Sequence, residues 1–281
     1  MIRFVIKELK KHDLIVRANS VAFSFFLSIF PTIIFIFTLI PLFPIRFDFL
    51  EAMNTLGRKA LPSEAFNYLM EIVNSLVSIK RGGLLSLGFV LALIFSSSGM
   101  ITLMAGFDKS YDRTFKKRTF IKRRFIAMSL TIIISFIFLL SFILIVFGDQ
   151  LFTNIFSRFH IESATSVFVQ VFRWLIIVGL IYTSISLIYR YGPSMYRKFE
   201  FSNPGAFLAT TLSIVSSLVF AYFVNNFGQY NKIYGSIGAL IVLLLWLQIN
   251  AVILLIGFEL NTSIAVERDN QDYKTKQKAL S

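Results

Sequence analysis

The sequence predicts an all-α, polytopic membrane protein with six transmembrane helices and short interfacial amphipathic helices. Three observations carry this. Hydrophobic residues make up 56% of the chain and mean hydropathy is +0.73, more than a soluble core requires. The apolar residues fall into six long runs. One of them, residues 236–258, has 23 residues with neither charge nor proline; as a helix it is about 35 Å long, enough to cross a hydrocarbon core of about 30 Å. The basic residues, finally, are divided unevenly between the two sets of loops.

Taken in order, residues 1–20 place Ile2, Val5, Ile6 and Leu9 on one helical face among basic residues, which reads as a short interfacial helix or as the positive flank of the first span. Span 1 covers residues 18–43. Pro31 lies within it, where it removes a backbone hydrogen bond and predicts a kink. Ser24, Ser28 and Thr32 form a polar stripe beside it, suited to helix packing or to lining a path. Residues 44–81 are too polar to span and read as two short amphipathic helices on the outer surface.

Span 2 covers residues 82–107, and Ser96, Ser97, Ser98 and Gly99 predict a break within it. Span 3 covers 125–147, span 4 covers 167–189 with Arg173 near its start, and span 5 covers 204–227, with Pro204 at a first-turn position. A tight turn over 228–235 leads into span 6, residues 236–258. Residues 1–261 form one transmembrane domain, and 262–281 a charged tail expected to be disordered and cytoplasmic.

Six spans put both termini on one side. Twenty of the 28 Lys and Arg residues then fall on that side and eight on the other. The positive-inside rule makes the richer side cytoplasmic. The net charge of +13 is thereby assigned to anionic lipid headgroups on the cytoplasmic side, and no nucleic-acid partner is required.

The chain has no Cys and two His, and His12 and His160 are predicted on opposite faces. No HExxH, P-loop or GxSxG pattern occurs, so no catalytic residues, metal or cofactor are expected. Asp108, Asp112 and Glu259 could meet at the cytoplasmic rim, but Lys109 and Arg113 balance the first two as ordinary helix-end charges. Arg173 either sits about 9 Å below the outer end as a functional charge or snorkels to the outer headgroups. Gln248 reads as helix-joining glue and Asn250 as a candidate lining residue. Asn226, Asn231 and Tyr234 supply more polar groups than the turn before span 6 needs. They read as a headgroup-level anchor or as an outer gate.

Several blocks carry a family resemblance. They are Ala22-Phe23, 28–31 (Ser-Ile-Phe-Pro), 95–100 (Phe-Ser-Ser-Ser-Gly-Met), Asp108, Tyr111, 189–193 (Tyr-Arg-Tyr-Gly-Pro) and 204–206 (Pro-Gly-Ala). The last are Tyr222, Asn226-Phe227, Tyr230-Asn231, 234–238 (Tyr-Gly-Ser-Ile-Gly), Trp246 and 257–261 (Gly-Phe-Glu-Leu-Asn). On these the chain resembles the YihY/BrkB family of bacterial inner-membrane proteins, some once labelled ribonuclease BN. Relatives often have Trp-Ser-Ala-Ser-Arg where this chain has Phe95 to Gly99, so Gly99 stands for a basic residue. Asp108 stands where Asn is common. The resemblance implies six helices with cytoplasmic termini and movement of lipids or other amphiphiles; Asp108, Glu259 and Asn261 are expected at the cytoplasmic rim.

The functional expectation is a non-enzymatic transporter or lipid-flipping protein of the cell membrane, its polar path drawn from Ser28, Pro31, Ser96, Ser97, Ser98, Arg173 and Asn250. The alternative is a non-transporting scaffold for an envelope partner.

Overall fold

The computed structural model describes residues 13–39, 70, 82–108, 114–158, 166–226 and 230–280. Its regular elements are six helices: α1 (Asp13–Leu39), α2 (Gly82–Phe107), α3 (Phe120–Arg158), α4 (Ser166–Tyr191), α5 (Pro204–Asn226) and α6 (Tyr230–Leu280). An isolated antiparallel bridge joins Phe115 to Met195. Each helix packs on the next in the chain, and α6 returns to pack on α1. The six therefore close into a ring, with α1 held between α2 and α6.

Length and composition make five segments long and apolar enough to cross a membrane: Phe89–Phe107, Phe120–Ile145, Gln170–Tyr191, Pro204–Val224 and Leu240–Lys278. The described apolar part of α1, Leu14–Ile29, is shorter. The protein is thus a multi-pass membrane protein.

Among the described residues the main core lies at one end of the ring, here called the base. There α2, α4 and α6 arrive and α1, α3 and α5 set out. The main core joins Leu14 and Val21 of α1, Leu103 and Phe107 of α2, Tyr189 of α4, Ala206 and Ala209 of α5, and Leu255 and Phe258 of α6. A smaller cluster of Phe35, Ala92, Leu93 and Leu139 ties α1, α2 and α3 together. In α5 the buried positions stop at Thr210, and Leu218, Val219 and Tyr222 beyond it are exposed. Apolar side chains turned outward in this way are at home against lipid tails.

Several boundaries differ from the sequence reading. The predicted break at Ser96–Gly99 does not occur, and α2 is helical throughout. The serine hydroxyls donate back to the carbonyls of Leu93 and Ile94, so the polar groups are satisfied within the helix. Likewise α1 continues through Pro31. α3 begins at Phe120, which moves Lys122, Arg123 and Arg124 from the loop into the helix, and it runs on to Arg158.

Instead of a turn over 228–235, α6 starts at Tyr230. Instead of a disordered tail, it continues to Leu280. Two contacts explain the extension: Thr262, Ser263 and Ala265 are buried, and Thr114 donates to Asp269 at 2.9 Å. Gln271 adds a bond to Glu267 one turn back. Most of the expected interfacial helix at 1–20 (residues 1–12) and of the amphipathic segments at 44–81 (44–69 and 71–81), with His12, Asp112 and His160, lies outside the described residues.

Candidate functional site

The base is built around Phe258. Its side chain is fully buried and stacks on Phe107 of α2 with ring centroids 4.3 Å apart. Phe115, Tyr189 and Phe199 approach it at 6.4, 6.4 and 6.1 Å. Rings from two helices and two loops thus converge on one ring of α6, in the tilted and edge-on geometries that aromatic pairs favour. The Tyr189 hydroxyl donates to the Leu254 carbonyl at 2.7 Å, which fixes α4 to α6.

The backbones of α5 and α6 cross beside this cluster. A Cβ on Gly257 would lie 2.5 Å from the Tyr189 hydroxyl and 2.6 Å from the Gly205 carbonyl oxygen, and one on Gly205 would run into the Gly257 carbonyl oxygen. Glycine at both positions is what allows this approach.

Polar groups close the base on two sides. On the α1 side, Arg17 Nη2 pairs with Glu259 Oε1 at 3.2 Å while Nη1 donates to the Gly106 carbonyl at 2.9 Å. Glu259 is only 3% exposed, and a carboxylate so buried requires a charged partner. Arg17 therefore ties α1, α2 and α6 together.

On the α5 side, Asn203 precedes Pro204 and caps α5: its Oδ1 accepts from the Ala206 N–H at 2.8 Å. Asn261 of α6 accepts from the Gly205 N–H at 2.8 Å and donates to Asn203 Oδ1 at 2.6 Å. The first turn of α5 is thus capped partly by its own sequence and partly by α6.

Two loops cover the base. Lys116 N–H donates to the Ser194 carbonyl and Tyr196 N–H to the Thr114 carbonyl. Arg118 donates to the carbonyls of Gly192 and Pro193, each at 3.0 Å. Arg123 pairs with Asp108. Partial desolvation holds the Asp108 carboxyl, itself about one-third exposed, above the usual carboxylate value, with the guanidinium groups of Arg123 and Arg118 pulling the other way.

The sequence-predicted residues divide. Glu259 and Asn261 both lie buried at the base, on its α1 and α5 sides, and Asp108 sits at its edge with Arg123. Ser28 and the serines of α2 come together at the α1–α2 contact. There Ser28 donates to the Ser24 carbonyl at 2.6 Å and accepts from the Gly99 N–H at 3.0 Å. A Cβ on Gly99 would lie 2.9 Å from Phe25, so this position has no room for a side chain. Ser28, Ser96 and Ser97 are buried and Ser98 half-buried; their hydroxyls are bonded to carbonyls of their own helices.

Pro31 is half-buried within α1. Asn250 donates to the Trp246 carbonyl one turn back, and Gln248 reaches across to Asn19 at 2.8 Å. Arg173 is half-buried in α4, away from the base. The side chains of Asn226, Asn231 and Tyr234 lie outside the described residues; Asn226 ends α5, while Asn231 and Tyr234 fall in the first turns of α6.

Sequence reasoning missed Arg17, Tyr189 and Asn203 as parts of one site. The signals were present: a lone carboxylate closing an apolar run demands a cation at the same depth, and Asn-Pro at a helix start is a capping pattern.

The family model described as Virulence factor BrkB matches residues 5–280. The ribonuclease-like protein YfkH of Bacillus subtilis is 31% identical over 248 residues, 87% of this chain and 88% of that protein. A UPF0761 membrane protein of Xanthomonas axonopodis pv. citri is 36% identical over 87 residues, 31% of this chain and 21% of that protein. No solved structure matches. With the family model spanning nearly the whole chain and a relative matched along most of its length, the protein belongs to the BrkB family of membrane proteins.

Proposed function

We propose that the protein is a transporter or flippase of the cell membrane that moves lipids or other amphiphiles, with its base and both termini on the cytoplasmic side. On this reading α1 is the sixth span, and the ring is closed at its cytoplasmic end in the conformation described here. The observation that carries it is the base itself. Six helices arranged in a cycle are sealed at one end by rings stacked on Phe258, beside a buried Arg17–Glu259 pair. A tightly packed base suits a gate that closes one side of a pathway. The serine stripe is not part of this support, because its hydroxyls are bonded within their own helices. The reading is of a non-enzyme without metal or cofactor, and its basic excess serves anionic headgroups rather than nucleic acid.

The direct test is reconstitution in liposomes with labelled phospholipid. Scrambling above that of empty liposomes supports the reading. Its absence across several lipids and ion gradients counts against it. The orientation is tested separately: a reporter after Ser281, Lys117 or Lys198 should report cytoplasm, and one within 59–63 or 157–163 the outside.

One observation favours a scaffold instead. α6 continues past Asn261 to Leu280 with an exposed, charged surface over residues 271–278, the kind of projecting helix that binds a partner. A scaffold should show no scrambling in the same assay.

A further inference from the structure

Arg124 lies inside α3, as its fifth residue. Its guanidinium Nη2 donates to the Ile94 carbonyl at 2.7 Å. Ile94 belongs to the Phe89–Phe107 span and lies about 20 Å along the axis from Phe107. The charge is therefore carried well into the apolar part of the bundle, toward the far end from Asp108. A cation held there requires a counter-charge or water.

Among the described residues no carboxylate supplies it. Arg123, the adjacent residue, pairs with Asp108 at the base instead. The Ile94 carbonyl is already shared with the hydroxyls of Ser97 and Ser98. One N–H of the guanidinium is thus used on a crowded neutral acceptor, and the rest of the fork remains for a ligand.

The surroundings say what that ligand is. Leu91 and Phe95 of α2 are exposed, as are Ile121 and Phe125 of α3. They flank Arg124 with apolar surface of the kind that faces acyl chains. Arg124 itself is half-buried. The site thus combines a planar cationic fork with apolar walls, and arginine matches phosphate oxygens through paired hydrogen bonds.

We infer that Arg124, at the edge of the α2–α3 contact, binds the phosphate of a phospholipid within the depth of the bundle: the phosphate pairs with the guanidinium and the acyl chains lie along Phe95 and Phe125. This deepens the lipid reading of the function but rests only on the bundle lying in a bilayer, so lipid retention and lipid movement can fail separately.

The experiment is native mass spectrometry of the purified full chain in detergent, titrated with phosphatidylglycerol, with diacylglycerol, and with inorganic phosphate alone. Wild type should retain one phosphatidylglycerol at least tenfold more tightly than diacylglycerol. Arg124→Gln should lose that preference, and Arg124→Lys, which keeps the charge without the fork, should fall between. Should Arg124→Gln fail to yield folded protein, the lysine variant and the diacylglycerol comparison carry the test.

Equal retention of phosphatidylglycerol by wild type and the tested variants would overturn the site. So would equal retention of diacylglycerol by wild type. Inorganic phosphate binding as tightly as the lipid would overturn the lipid assignment in favour of a soluble anion. Scrambling that persists in Arg124→Gln after headgroup preference is lost leaves this site standing and separates it from the transport path.

Discussion

Arg17 and Glu259 are 242 positions apart in the chain and 3.2 Å apart in the fold. The pair joins the first helix to the last and closes the ring at the base. Glu259 is nearly inaccessible and Arg17 is about one-fifth exposed, so removing the cation takes a charged partner from a buried carboxylate. Such losses cost about 3–5 kcal/mol. Arg17→Ala should therefore lower the thermal unfolding midpoint in detergent sharply. Arg17→Gln combined with Glu259→Gln should recover part of the loss, because neither neutral amide needs a counter-ion. A double variant as unstable as the sum of the single changes would show that the two groups are not energetically coupled.

The α5–α6 crossing gives a prediction with an internal control. Gly205→Ala and Gly257→Ala each drive a methyl into the facing backbone or its neighbours. Overpacking of this kind costs about 1–3 kcal/mol or more. Gly179→Ala in α4 meets nothing within 4 Å, and an alanine within a helix is favoured over glycine by about 1 kcal/mol. Size-exclusion profiles and melting curves should thus show loss of folded protein for the first two and unchanged or raised stability for the third. Three equal outcomes would mean that the close approach is not the reason for glycine at the crossing.

The two asparagines that cap α5 share a hydrogen bond. Asn203→Ala should cost about 1 kcal/mol as a lost cap. Asn261→Ala leaves the buried Gly205 N–H unsatisfied, a cost of about 1–3 kcal/mol. The double variant should cost less than the sum, since either change breaks the shared bond. Denaturation of all three variants side by side reads this out, and strict additivity would contradict the network.

Asp108 yields a pH prediction. Its folded carboxyl titrates above the usual value of 3.8 because burial opposes the charged form more than Arg123 and Arg118 favour it. The folded state therefore holds the proton more tightly than the unfolded chain does. The contribution to stability is fully present below 3.8 and is lost as pH rises through the folded value. The stability of wild type relative to Asp108→Asn should decline on going from acid toward neutral pH and then level off. A difference that grows with pH over that interval would reverse the assignment, with the ion pair outweighing burial.

Much of the helical frame was legible because its signals are local. Residues 82–107 form a run bounded by Lys80-Arg81 and Asp108, and α2 has those same bounds. Glu259 and Asn261 announced a polar rim by closing an apolar run. What remained illegible depends on which helices become neighbours. Arg17 looked like one of several flanking basic residues, and only the ring brings it to Glu259. Ser96, Ser97 and Ser98 looked like a break or a polar path because a hydroxyl in the sequence does not state its acceptor. Bonding back to Leu93 and Ile94 lets the helix continue. The tail from Thr262 looked disordered by composition, whereas Thr114 and buried Thr262 hold it as helix. Arg124 looked like loop charge because a helix start two residues before Lys122 has no strong sequence signal among so many basic residues.

The continuity of α6 carries a mechanical consequence. Tyr230 to Leu280 is one helix of 51 residues, about 76 Å long. The tight crossing at Gly205 and Gly257 sits near its middle, where the two backbones leave little play. That crossing is a fulcrum. From Gly257 to Leu280 the arm is about 35 Å, so a tilt of about 10° would swing the projecting end by about 6 Å. The membrane-embedded arm would swing the opposite way. A change at either end is thereby delivered to the other as displacement, with no hinge in between to absorb it.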